Sequence, residues 1–111
     1  MMRRTAFVIA LSLLVCSMLA AATKHRKPKT HTVVMEAMAF RPAALTISSG
    51  DTIVWVNKDL VEHTATSAIA GGFDSKMIRP GNSWKHTIRT SGTLPYVCTY
   101  HPTMKGTLQV K

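Results

Sequence analysis

Beyond residue 30 the chain reads as a series of short apolar or alternating runs separated by turn-forming residues. Thr32-Val33-Val34-Met35 is rich in β-branched side chains, and Phe40-Arg41-Pro42 follows. Leu45-Thr46-Ile47 predicts a second short strand. Ser49-Gly50-Asp51 predicts a turn, because glycine tolerates positive φ and aspartate bonds the local backbone. Thr52-Ile53-Val54-Trp55-Val56 is almost continuously apolar, which predicts a strand covered on both faces. Asn57-Lys58-Asp59 closes it as a polar loop. His63-Thr64-Ala65-Thr66 begins another extended piece. Ala70-Gly71-Gly72 is a loop, Phe73 is expected to pack, and Pro80-Gly81-Asn82 is a turn. Trp84, His86 and Ile88 alternate with Lys85, Thr87 and Arg89, the period of a half-buried strand. After Ser91-Gly92, Leu94 to Cys98 and Gly106 to Val110 supply two more. No long stretch past residue 22 carries a helical period. Seven or eight strands at this spacing predict an all-β sandwich or barrel in one domain.

The first 22 residues differ in kind. Arg3 and Arg4 precede a nearly uninterrupted apolar run from Ala6 to Leu19, and Ala20-Ala21-Ala22 offers small residues for cleavage. This is the pattern of a secretory signal, and the run is short for a membrane span. The expected division is therefore a signal at 1–22, a basic tail at 23–30 and a folded domain at 31–111. The tail, Thr-Lys-His-Arg-Lys-Pro-Lys-Thr, has no apolar side chain except the ring of Pro28 and reads as solvated.

Charge and cysteine count sharpen this. The 111-residue chain carries a formal charge of +9, and removal of Arg3 and Arg4 leaves +7. Such a balance favours an acidic partner surface or an anionic membrane face, and export makes nucleic acid a poor candidate. Cleavage would also remove Cys16 and leave Cys98 as a lone thiol in an oxidising compartment. An exported thiol of this kind is a liability unless it is buried or held by a metal.

The residues after Cys98 favour the metal. Cys98-Thr99-Tyr100-His101-Pro102-Thr103-Met104 places a thiolate, an imidazole and a thioether within seven positions. Together with one more imidazole they make the ligand set of a blue-copper electron-transfer site. Two imidazoles and a thiolate in a plane, with a weak thioether on the axis, are tolerable to both Cu(I) and Cu(II). A short connection between two strands can bring three such groups to one point, and Pro102 restricts it further. His63 is the best candidate for the second imidazole, since it follows the loop after the central strand. His25 and His31 read as tail residues, and His86 as a packed or hydrogen-bonded strand residue. Met35, Met38 and Met77 read as core fillers.

The chain resembles the small cupredoxins, most closely the amicyanin and pseudoazurin group. The resemblance covers nearly all of residues 31–111. It is carried by Met38-Ala39-Phe40-Arg41-Pro42, Gly50 to Asn57, His63, Pro80-Gly81, Gly92-Thr93, Tyr96 to Met104 and Gly106. It implies a Greek-key β-sandwich with one copper ion per chain, cycling between Cu(I) and Cu(II), with His63, Cys98, His101 and Met104 as ligands. Three positions depart from the family pattern. Thr64 stands where an asparagine usually ties the ligand loops together. Tyr100 stands where a proline tends to lie between Cys and His, and Thr103 where a large apolar residue tends to precede Met.

Expectation then centres on a non-enzymatic, periplasmic carrier of single electrons between a donor and an acceptor protein. It would be monomeric, with electrons entering and leaving through His101 and an acidic docking surface on the partner. A copper storage or delivery protein is the other reading, and the basic, histidine-bearing tail suits it. An oxidase or nitrite reductase would need histidines for a second metal centre, and His25, His31 and His86 form no such constellation.

Overall fold

The computed structural model describes residues 26–111, so the expected signal segment at 1–22 and its cleavage point lie outside the described residues. Among the described residues, eight strands form two four-stranded sheets. The first sheet contains β1 (Thr30–Glu36), β2 (Ala39–Arg41), β4 (Thr52–Asn57) and β6 (Ser83–Thr87), in the order β2-β1-β4-β6. The second contains β3 (Ala44–Ile47), β5 (Thr66–Ser67), β7 (Gly92–Val97) and β8 (Lys105–Val110), in the order β3-β8-β7-β5. Two neighbouring pairs are parallel, β1 with β4 and β3 with β8. The expected all-β sandwich is therefore the observed fold.

The core lies between the sheets and follows the two-residue period of each strand. Val33 and Met35 of β1, Ile53 and Trp55 of β4, Leu94 and Tyr96 of β7, and Leu108 and Val110 of β8 are buried. Phe40 meets Tyr96 edge-on at 4.6 Å between ring centroids, and Trp55 meets Tyr96 in the same manner at 5.6 Å. Each such side chain contributes about 1.5–3 kcal/mol by leaving water. Burial also pushes the Tyr96 phenol up to about 12.

Two expectations change. The central strand β4 is buried on one face only: Ile53, Trp55 and Asn57 point inward, while Val54 and Val56 stay half-exposed. Its apolar run reflects β propensity on the outer face rather than a second covering layer. Met38 and Met77, expected in the core, are exposed. Met38, at φ 59°, lies in the turn between β1 and β2, and Met77 follows Lys76, at φ 58°, in the irregular segment between β5 and β6.

The inward rows of β7 and β8 run on past the strand ends. Leu94, Tyr96 and Cys98 continue one row, and Val110, Leu108, Gly106 and Met104 the other. Gly106 faces Tyr96 across the ladder, and a Cβ there would collide with the Tyr96 ring. Gly106→Ala is expected to destabilise the fold by about 1–3 kcal/mol, as overpacking does. Thermal unfolding of the variant checks this.

Candidate metal centre

The β7–β8 hairpin builds half of the centre by register alone. The pairing of Tyr96 with Gly106 and Val97 with Lys105 sets Cys98 opposite Met104, and the Cys98 N–H donates to the Met104 carbonyl at 3.0 Å. Both side chains are buried, at 0% and 2% exposure. Between them the loop is folded on itself. His101 N–H donates to the Cys98 carbonyl at 3.3 Å, and Met104 N–H to the His101 carbonyl at 2.8 Å. His101 is half-buried at the tip, with Tyr100, Pro102 and Thr103 exposed.

His63 arrives from the loop after β4 and is fully buried. Its backbone is clamped from both sides by Ile78: His63 N–H donates to the Ile78 carbonyl at 3.1 Å, and Ile78 N–H to the His63 carbonyl at 2.8 Å. Its Nδ1 lies 3.7 Å from Cys98 Sγ. Its ring centroid lies 5.3 Å from that of His101, at an interplanar angle of 73°. The structure thus gathers His63, Cys98, His101 and Met104 at one end of the sandwich. Counting only His, Cys, Asp and Glu, no three side chains among the described residues converge tightly enough to hold a metal. The tight element is the His63–Cys98 pair, flanked by the His101 ring and by Met104.

The donor chemistry of this group suits a thiophilic metal. At 3.7 Å apart, His63 Nδ1 and Cys98 Sγ stand close enough for one ion to bond both, at the usual metal–nitrogen and metal–sulfur lengths of about 2.0 and 2.3 Å. One N–H is already aimed at the sulfur: the Thr64 amide donates to Cys98 Sγ at 3.3 Å.

Thr64 replaces the expected asparagine tie with its hydroxyl. Thr64 Oγ1 accepts the Thr99 N–H at 2.9 Å and bonds the hydroxyls of Thr66 and Thr99 at 2.9 and 3.1 Å. The loop that carries His63 and the loop that follows Cys98 are therefore joined directly.

Two residues of this end did not stand out in the sequence. Asn57 is fully buried, and its amide donates to the carbonyls of Val61 and Ile78, each at 2.9 Å. Its phase was legible, since it continues the inward row of Ile53 and Trp55. Asp59 meets His63 Nε2 through Oδ2 at 2.6 Å. Burial alone would raise its carboxyl pKa, but amide donors from Met38 and Ala37 and the His63 ring hold it below the usual range. His86 lies elsewhere, on β6, exposed and stacked on Trp84 at 5.3 Å.

Fold and site together define a cupredoxin. A family model for the cupredoxin-like domain matches residues 7–110, and the chain belongs to that family. Amicyanin of Paracoccus versutus is 30% identical over 83 residues, which span 71% of this chain and 63% of that protein, just under two thirds of its length. Plastocyanin of Scenedesmus fuscus is 31% identical over 87 residues, or 68% of this chain and 89% of that protein. Among solved structures, an amicyanin variant in its Cu(I) form superposes with a TM-score of 0.70 at 23% identity, over 78% of this chain and 87% of that one. A purple cupredoxin from Nitrosopumilus maritimus superposes with a TM-score of 0.68 at 24% identity, over 73% and 99%. The latter two likenesses concern the fold.

Proposed function

We propose that the chain is an exported blue-copper protein that carries single electrons, with one copper ion held by His63, Cys98, His101 and Met104. The observation that carries this reading is the buried His63–Cys98 pair at 3.7 Å, set beside the His101 ring and across the hairpin from Met104. Copper in such a ligand set exchanges one electron between Cu(I) and Cu(II) with little rearrangement. The chain keeps the arrangement fixed. Ile78 clamps His63, the Thr64 amide bonds the sulfur, and the Thr64 hydroxyl locks the loop that follows Cys98. Burial of His63, Cys98 and Met104 keeps water from those donors.

His101 is the only one of the four with an exposed edge, which makes it the electron port. A shallow groove lined by Val61, Glu62, Met77, Tyr100 and His101 surrounds it. Leu60, 97% exposed, stands next to Val61. Exposed apolar side chains concentrated around one port suit a transient protein partner. Lys58 and Arg79 are exposed nearby in the chain, and the net charge is positive, so the complementary surface is acidic. This groove also explains why Met77 is not in the core. The chain acts without catalysis, in the periplasm, after loss of residues 1–22.

The test is the visible spectrum after addition of Cu(II), then ascorbate, then an oxidant. An intense band that bleaches and returns at one copper per chain is expected. Tight colourless Cu(I) binding with ready transfer to an acceptor would instead identify a copper-delivery protein. Met104→Leu is expected to keep the band, since the imidazoles and the thiolate remain, and to raise the potential, since losing a donor weakens Cu(II) binding more than that of Cu(I), which tolerates fewer ligands. An unchanged potential would remove Met104 from the ligand set.

A further inference from the structure

The ring nitrogen of His63 that does not face Cys98 is held by a carboxylate, and that carboxylate is itself held. Asp59 Oδ2 lies 2.6 Å from His63 Nε2. Oδ1 accepts the Ala37 N–H at 2.7 Å, and Oδ2 also accepts the Met38 N–H at 3.0 Å. Ala37 and Met38 form the turn between β1 and β2, both in the left-handed region at φ 51° and 59°. Neither is glycine, so the conformation is unfavourable on its own account. It points two consecutive amides at one carboxylate. The Asp59 N–H in turn donates to Asn57 Oδ1 at 2.9 Å. Asn57 donates to the carbonyl of Ile78, the residue that clamps the His63 backbone. Hydrogen bonds therefore join the turn, the carboxylate, the buried asparagine and the histidine.

We propose that Asp59 is a positioning residue of the metal centre, which takes the Nε2 proton of His63 as a hydrogen bond and biases the centre toward its oxidised state. This rests on the reading of His63 and Cys98 as ligands. An ionised carboxylate only accepts, so Nε2 must carry the proton and Nδ1 keeps its lone pair. Nδ1 is the atom 3.7 Å from Cys98 Sγ. A histidine bonded to a carboxylate through its other nitrogen is a more basic ligand and is fixed in orientation. Greater basicity and a nearby negative charge both favour the more highly charged ion, Cu(II) over Cu(I). The anchoring by Ala37 and Met38 leaves the carboxylate no freedom to turn away.

The test compares the reduction potentials of copper-loaded wild type, Asp59→Asn and Glu62→Gln. Glu62 is the exposed carboxylate beside His63 in the chain and serves to measure the effect of charge alone. Asp59→Asn is expected to lose about tenfold of the preference for Cu(II), an upward shift of about 59 mV for one electron. Glu62→Gln is expected to shift much less. An unchanged potential in Asp59→Asn, or an equal rise in Glu62→Gln, overturns the proposal. Proton NMR of wild-type protein loaded with Cu(I) gives a second readout that needs no variant to fold. A slowly exchanging, downfield Nε2–H signal of His63 is expected, and a His63 ring without an Nε2 proton overturns the proposal. A wild type that takes up copper without a thiolate band would overturn the ligand reading itself, and this inference with it.

Discussion

Cys98→Ser is expected to abolish the intense visible band of the copper-loaded protein and to cut copper affinity by more than about a hundredfold, beyond the 10–100-fold typical of outer partners. The reasoning starts from the sulfur. A thiolate is a soft donor that binds Cu(I) well, whereas a serine hydroxyl is hard and stays protonated at neutral pH. The intense colour requires charge transfer from sulfur to the metal, so an oxygen at the same point leaves none. The fold is expected to survive, because a serine Oγ can still accept the Thr64 N–H that bonds Cys98 Sγ at 3.3 Å. The metal-free variant should therefore unfold within about 1–2 kcal/mol of wild type. Spectra and metal-free stability together separate a lost ligand from a lost structure. A band of wild-type strength in the variant would refute the thiolate assignment.

The same hairpin shows why part of the site was legible in the sequence. Cys98 and Met104 are the ends of two inward rows, and a period of two carries them to the core face whichever way the loop closes. The short steps from Cys98 to His101 and on to Met104 need only one tight connection. Short-range order of this kind is written in spacing. The partners of His63 are not. Asp59 reaches His63 across an irregular loop, and that loop is shaped by Asn57, by Ile78 and by a turn from another strand pair. Nothing in the local string Lys58-Asp59-Leu60 distinguishes an aspartate that holds His63 from a solvated one. Thr64 shows the intermediate case. Its departure from the family pattern is visible in the sequence, but only the fold shows that its hydroxyl meets Thr99, 35 residues later. The parallel pairing of β1 with β4 is equally hidden, because alternation reports which face is buried and not which strand lies alongside.

Residues 26–30 of the basic tail are exposed, as a solvated segment is, but they are also fastened to the domain by long-range bonds, and this fastening carries the other large prediction. Arg26 and Lys29 lie in the segment that reads as solvated, and His31 just beyond it. All three converge on Asp51, a carboxylate only 1% exposed at the start of β4, the end of that strand away from the loop to His63. Oδ1 accepts the Lys29 N–H at 2.9 Å and the guanidinium of Arg26. Oδ2 accepts the Ser48 N–H at 3.1 Å and pairs with His31 Nε2 at 2.9 Å. Burial alone would raise the Asp51 pKa, but these donors hold it far below the usual carboxylate range.

Asp51→Asn is expected to cost roughly 3 kcal/mol of stability, because each oxygen already accepts a backbone N–H and an amide must turn its NH2 toward one of them. The sign of the pH dependence follows from the depressed value. Stability from Asp51 is fully present above the unfolded pKa of about 3.9, and it is lost as pH falls from there toward the folded value. Urea unfolding of wild type at pH 7 and at about pH 3 should show that loss, and the Asp51→Asn variant should show a flatter acid limb. Equal acid slopes in the two proteins would mean that this clasp contributes nothing. The visible band at neutral pH should be untouched, since Asp51 bonds none of the four proposed ligands. Stability and metal chemistry are therefore separable in this chain: one carboxylate fastens the incoming tail at one end of β4, and another, Asp59, braces the histidine beyond the other.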